Sequence, residues 1–582
     1  MRARSYLFSC FALSVRSAPQ NLALNWSPNG YGPDGPWNAI TISVGGNSSY
    51  NPVNQTSVDV LPGGMWSSYI PTSQACNAES TPNPQCGRPG TTWDPVLYSD
   101  SLNVFISPTG GPSNGADGNW FTEQALSVYA KNAPDNFTVY NANLISYSNI
   151  TVTNPDGSRR VPELGGFSLG GNNPAQEFDR TSIDEPSLKI EMPIAGLYNN
   201  SYIPSYSYGL HYGSASLGYG GSLVLGGYDA ARMIGPISTY EHDAGVVQLR
   251  DIGIGVETGG SPFSFTNKSG ILMTNQSEPG PVTVAIDPTT PYLLLPNATC
   301  HELSNYLPIE FDTKLKFWLW RTSDPAYKKI VTSASYLSFT LPPNYLTTET
   351  NPVVIKVPFI LLNLTLDVGI VDTPTQYFPC LDTNNPAGPA AYSLGRAFLQ
   401  AAYTGANLGE NTAWIAQAPG PNIQQSGPAW TDIDDNVQYP TTTTSGHPDQ
   451  RFNDTWATHW TPLPLPNKVQ SGGNSNNNGT STSGLSTDAK AGIGVGVALG
   501  ALAVIGIAAF LWLRHRRKQR TARSELANTS RGDEKYVYKG GNHQTQPAEL
   551  VQDPAELAGP EHAMEMPGSV MPHDPTPGYG GR

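Results

Sequence analysis

The sequence predicts an all-β, two-lobed extracellular body, and three observations carry that prediction. Charged residues make up only 13% of the 582, while Gly (59) and Pro (52) are abundant, a composition suited to short strands joined by tight turns. From residue 35 to 420, β-branched and aromatic runs alternate with Gly/Asn/Pro turns, as in "WNAITISV", "NFTVYNANLI", "GGSLVLGGYD" and "NPVVIKVPFILLNLTLDVGIV". The same stretch also repeats itself. "GGFSLGG" (165–171) and "AAYSLGR" (390–396) share aromatic-Ser-Leu-Gly, and each follows, at nearly equal distance, a strand carrying an acid: Asp59 in "SVDVLPGGMW" and Asp287 in "VAIDPTTPYLLL". A repeat on that scale predicts two homologous lobes.

At the N-terminus Arg2 and Arg4 precede a short apolar run from Tyr6 to Val15 with small residues after it, the pattern of a signal peptide over residues 1–18. Within the body, helical periodicity is scarce; "FTEQALSVYA" (121–130) and "ATCHELSNYL" (298–307) are the two short helices expected. Apart from Cys10 in the signal, the cysteines are Cys76, Cys86, Cys300 and Cys380. An even number in a translocated chain predicts two disulfides. Three pairings are open, and the most economical joins Cys76 to Cys86 and Cys300 to Cys380. Sequons begin at Asn25, Asn47, Asn54, Asn136, Asn149, Asn199, Asn267, Asn275, Asn297, Asn363, Asn453 and Asn478, a density that predicts a glycosylated surface.

Residues 421–490 change character. "YPTTTTSGHPDQ" and "SGGNSNNNGTSTSGLSTDAK" are too poor in apolar side chains to order themselves and read as a stalk. Residues 491–513, "AGIGVGVALGALAVIGIAAFLWL", carry no charge; a bilayer core of about 30 Å needs roughly 20 such residues in a helix. The basic cluster "RHRRKQR" (514–520) follows and should face the cytoplasm, giving a single-pass type I protein with a disordered tail over 514–582. Gly492, Gly496 and Gly500 recur every four residues, a spacing through which two such helices can self-associate. This layout predicts delivery through the secretory pathway to the plasma membrane or cell surface, with the vacuolar membrane as the other destination. The net charge of −14 excludes nucleic acid as a partner, since nothing attracts phosphate. No cofactor is expected. His211, His242 and His301 lack metal-ligand spacing, so no metal is expected either.

Together the two acid turns, the two aromatic-Ser-Leu-Gly elements, Trp66 shortly after Asp59, "GGSLVLGGYD", "YSLGRAFLQAAYT" and the flanking Cys300 and Cys380 resemble the pepsin-like aspartic protease family over residues 35–420. With the stalk, span and basic tail, the whole chain resembles the membrane-anchored pepsin-like proteins of filamentous fungi. The resemblance implies a bilobal acid-protease fold in which Asp59 and Asp287 occupy the catalytic positions. That chemistry needs two carboxylates about 3 Å apart sharing one proton. Each sits in an Asp-Thr/Ser-Gly-Thr/Ser turn whose glycine admits the backbone and supplies N–H donors.

Both turns depart from the family pattern. Asp59 is followed by Val60-Leu61-Pro62, and Asp287 by Pro288-Thr289-Thr290. Side chains therefore stand where glycine is required, and Pro288 has no N–H to give. One lost donor costs ~10²–10³ in rate, and a ~1 Å misplacement a further ~10². The family's Tyr-Gly-Ser/Thr-Gly flap turn does not occur between residues 123 and 160, where Tyr140 and Tyr147 are the candidate substitutes; the Tyr-Gly-Ser at 212–214 comes too late in the chain. "GFSLG" (166–170) also fits a hydrolase Gly-x-Ser-x-Gly elbow, but Gly, Asn and Pro follow where that motif needs a helix. Asp372-Thr373-Pro374 reads as a strand end. The expectation is a catalytically inactive surface protein whose interlobe cleft binds a peptide or cell-wall polysaccharide. An active endopeptidase using Asp59 and Asp287 is the alternative, and a surface sensor or adhesin the third reading.

Overall fold

In each lobe one short strand is straddled by the two arms of a hairpin. In the first lobe Gly165–Ser168 runs parallel to Thr56–Gly63, with Gly165 opposite Val60 and Ser168 opposite Gly63, and antiparallel to Ser68–Pro71. In the second, Tyr392–Leu394 runs parallel to Val282–Ile286, with Leu394 opposite Ile286, and antiparallel to Leu293–Leu295. The outer arm of each hairpin then takes one more parallel neighbour, Leu144–Tyr147 in the first lobe and Cys380–Asp382 in the second. Two lobes with one strand plan are what the internal repeat predicts, and the plan is that of the pepsin-like fold.

The computed structural model describes residues 18–45, 55–63, 67–77, 86–95, 101–106, 113–114, 116–121, 125–149, 151–171, 173–178, 188–382, 392–441 and 448–465. All of them belong to one compact unit, residues 1–469. The expected signal peptide, Trp66, the sequons Asn47, Asn54 and Asn478, the expected 491–513 span with Gly492, Gly496 and Gly500, and the tail fall outside or almost wholly outside these residues. Among the described residues no helix is long and apolar enough to cross a membrane.

Burial explains the strand patterns. In Leu293–Leu295 the two outer leucines share one face and are fully buried, while Leu294 on the other face is half-buried. Ser335–Leu341 lies at the edge of the core and alternates, with Ser335, Leu337, Phe339 and Leu341 inward. A sheet in the order Leu22–Ala23, Ser222–Leu225, Ser207–His211, Ala402–Asn407, Thr412–Gln417, Ile234–Glu241 joins the beginning of the chain to the end of the second lobe. The disulfides are Cys76–Cys86 and Cys300–Cys380, the economical pairing.

Two expectations need correction. Residues 298–307 do hold a helix, Asn297–Ser304, but residues 121–130 do not; Ala125–Tyr129 is a strand between Trp37–Val44 and Asn136–Tyr140. Val128 and Tyr129 suit a pleated surface, and pairing on both sides overrides the local helical pattern. The folded body also outruns the 35–420 boundaries. It starts by Leu22–Ala23, and the expected stalk is folded as far as Leu465. Trp430–Asp432 pairs with Gly227–Asp229, and the helix Pro448–Trp456 buries Phe452, Thr455 and Trp456. A few aromatic side chains spaced through a polar segment were enough to dock it.

Candidate functional site

The second-lobe turn holds its carboxylate with donors from its own backbone and hydroxyls. Asp287 directly follows the last ladder pair, and its own N–H donates to the Leu394 carbonyl at 3.2 Å. The turn folds back so that the Thr289 N–H (2.9 Å) and hydroxyl (2.5 Å) both donate to Asp287 Oδ1, while the Thr290 hydroxyl donates to Oδ2 at 3.0 Å. Gly395 lets the turn close, because a Cβ there would lie 2.1 Å from the Thr290 carbonyl oxygen. Pro288, which cannot donate, is tolerated since Thr289 supplies the amide.

The first lobe provides no matching acid. Asp59 precedes the parallel ladder, which begins at Val60, whereas Asp287 follows the end of its own. From Asp59 to Gly63, the far end of the strand, is roughly 13 Å at 3.3 Å per residue. Asp59 is 8% exposed and fully engaged elsewhere. It accepts from the Ser27 hydroxyl at 2.5 Å, the Thr41 hydroxyl at 2.6 Å and the Tyr31 hydroxyl. It shares no hydrogen-bond partner with Asp287, and its assignment to the catalytic position is corrected: Ser168 faces Gly63 as Ser393 faces Ala285, so the residue equivalent to Asp287 is Met65 and the match in sequence was off by six residues in register. The residue that faces the second-lobe turn is Gly63, where a Cβ would lie 2.6 Å from the Thr289 methyl. The residues that follow, Gly64, Met65 and Trp66, carry no carboxyl group.

Three further residues close the space between the turns: Arg396 and Tyr69, which the sequence does not mark, and Tyr212, whose Tyr-Gly-Ser reads as too late in the chain for a flap. Arg396, 5% exposed, donates from Nη1 to the carbonyls of Pro288 (3.2 Å) and Thr289 (2.7 Å) and lies 5.0 Å from the Trp37 ring centroid. The Tyr212 hydroxyl is within hydrogen-bonding reach of the Pro62 and Pro288 carbonyls, one from each lobe. Tyr69 fills the floor; burial pushes its hydroxyl up to about 12, against the pull of Arg396. What remains, among Leu61, Gly63, Phe167 and Thr289, is a cavity of about 30 Å³, room for one or two waters. Below it Asp34 locks the lobes together. Its carboxylate accepts from Trp37 Nε1 (2.7 Å), Arg160 (3.2 Å) and the Tyr292 hydroxyl (3.2 Å), and its carbonyl from Tyr377 (2.6 Å).

The remaining candidates are placed as follows. Ser168 is fully buried at the end of its strand, and a left-handed Gly170 follows in place of a helix. Tyr147 is 1% exposed within a sheet strand and Tyr140 is 54% exposed. Asp372 precedes the strand Thr375–Phe378. Among the described residues no group of three His, Cys, Asp or Glu side chains is arranged to hold a metal ion. Of the described sequon asparagines, Asn136, Asn149, Asn199, Asn267, Asn275 and Asn297 are exposed, while Asn25, Asn363 and Asn453 are half-buried.

No protein-family model and no curated protein matches the sequence. Among solved structures, the aspartic proteinase from Irpex lacteus is similar, with a TM-score of 0.40 and 12% identity over 68% of this chain and 97% of that one. The resemblance is one of fold.

Proposed function

We propose that this chain is a membrane-anchored, surface-displayed protein of pepsin-like fold that does not cleave peptides, and that its interlobe cleft holds a peptide or wall polymer. One observation carries the reading. Counted along the paired strands, the first-lobe equivalent of Asp287 is Met65, which has no carboxyl group, and Gly63, two residues before it, packs against the Thr289 methyl. Aspartic protease chemistry divides a base and an acid between two carboxyl groups on one proton; a lone carboxylate has no partner with which to do this. The anchoring rests on the apolar 491–513 segment and the basic residues after it.

Denatured protein incubated at acid pH with the purified chain, with and without pepstatin, tests the proposal. No turnover is expected, and Asp287→Asn should change nothing. Pepstatin-sensitive cleavage abolished by Asp287→Asn would overturn it.

A further inference from the structure

We propose that a groove between the start of the chain and the segment after residue 420 is a binding site for an acidic saccharide. This site is separate from the interlobe cleft and does not depend on the reading given for it. The groove measures about 340 Å³ and is lined by Lys131, Arg232, Asp229, Gln424, Trp430 and bare glycine backbone, near the lower end of the range for small-ligand sites.

Charge is the first argument. In a chain of net −14, this groove sets two cations side by side. Partial burial and the charge of Arg232 together lower the pKa of Lys131, so each cation gains from an anion between them. The carboxylate of the lining, Asp229, is committed to the fold. It accepts from the Ala231 N–H (3.1 Å), the Ala429 N–H (2.9 Å) and the Ser222 hydroxyl (3.4 Å), and stands 3.8 Å from Arg232 Nε. The Lys131 ammonium has no hydrogen-bond or ion-pair partner among the described residues.

Pre-organisation is the second. Arg232 Nη1 donates to the Gly220 carbonyl (3.1 Å) and to His211 Nδ1 (3.2 Å), and the guanidinium lies 4.8 Å from the Tyr219 ring centroid. His211 Nε2 donates to the Gln400 carbonyl at 2.9 Å, so Nδ1 is an acceptor. The guanidinium is thus fixed before any ligand arrives, and a planar fork of this kind suits a carboxylate or phosphate oxygen. The third argument is shape. A Cβ on Gly220 or Gly427 would meet nothing within 4 Å, so the wall is open backbone there, and the lining includes the aromatic side chain of Trp430, a residue type on which sugar rings pack.

Titration of the full-length protein with galacturonic acid, glucose 6-phosphate, glucose and inorganic phosphate, followed by ligand-observed NMR, tests the site. Both acidic sugars should bind, and glucose at least tenfold more weakly. Lys131→Gln should weaken galacturonate at least tenfold without moving the melting temperature, and Lys131→Arg should restore it. Trigalacturonate binding more tightly than the monomer would support a polymeric ligand, and equal binding would support a free acidic sugar. Glucose binding as well as galacturonate, inorganic phosphate matching both acidic sugars, or Lys131→Gln without effect would overturn the proposal.

Discussion

Gly63 and Thr289 meet where the two lobes' turns converge, and the contact leaves no room for a side chain on the first-lobe partner: its Cβ would lie 2.6 Å from the threonine methyl. Thr289 cannot swing away cheaply, because its hydroxyl and N–H are both bonded to Asp287 Oδ1 and a β-branched side chain has few rotamers. Gly63→Asp should therefore destabilise the protein by about 1–3 kcal/mol through overpacking, and Thr289→Gly introduced beside it should recover stability. Thermal melts of the single and double variants decide this; a Gly63→Asp protein as stable as the parent would show that the contact between the turns tolerates a side chain.

Asp59 is predicted to matter for folding and not for catalysis. Asp59→Ala would leave the hydroxyls of Ser27, Tyr31 and Thr41 without their acceptor in a largely buried place, at a cost of about 2–4 kcal/mol. Denaturant unfolding reads the cost directly. A loss below about 0.5 kcal/mol would mean that water replaces the carboxylate freely, as at a surface position.

These two aspartates show how far the sequence could be read. The lobe repeat, the disulfide pairing and the Asp287 turn were legible because each is local: a short motif, an even cysteine set, an acid followed by hydroxyls. The first-lobe position was not, because register depends on which residue of Gly165–Ser168 faces which residue of Thr56–Gly63, and a strand fragment carries little information about that. Arg396 and Tyr212 were missed for a related reason. Each reaches the turns from far away in the chain; nothing beside Arg396 in "YSLGRAF" marks it as reaching the cleft, and the Tyr-Gly-Ser at 212–214 is set aside because it lies too late in the chain for a flap.

His211 should make stability depend on pH. Burial, and then the charge of Arg232, lowers its pKa to about 3, so the folded protein holds it neutral while the unfolded chain protonates it near 6.5. Between those values the unfolded state binds more protons, and stability falls as pH falls. The contribution is intact above about pH 6.5 and is lost progressively toward pH 3, on the order of 5 kcal/mol over the whole window. Melting His211→Gln and the parent across this range should show a shallower acid loss in the variant. Parallel curves would mean that His211 is not the group responsible.

The two disulfides should differ in worth. Cys300–Cys380 closes a separation of 80 residues and Cys76–Cys86 one of 10. On chain-entropy grounds these correspond to about 4.5 and about 2.7 kcal/mol. Paired Cys→Ala variants compared by denaturant unfolding should preserve that order, and the reverse order would point to structure persisting in the unfolded second lobe.

The segment after residue 420 should behave as part of the body. Asp432 accepts from the backbone and side-chain N–H groups of Asn21 at 2.8 and 2.7 Å, tying it to the first residues of the fold. Farther on, Phe452, Trp456 and Trp460 pack together against the second lobe. Lys356 lies between Glu257 (2.8 Å) and Asp449 (2.9 Å); burial works against its charge, but these two hydrogen bonds outweigh it and raise the lysine's pKa. Three buried aromatics at roughly 1.5–3 kcal/mol each are a large part of a domain stability of about 5–15 kcal/mol. A chain ended after residue 465 should therefore melt as the full-length protein does, while one ended after 420 should be insoluble or melt well below it. If the shorter chain instead melted within about 2 °C of the longer, less than about 1 kcal/mol would reside in the segment, and its docking would be incidental to the fold.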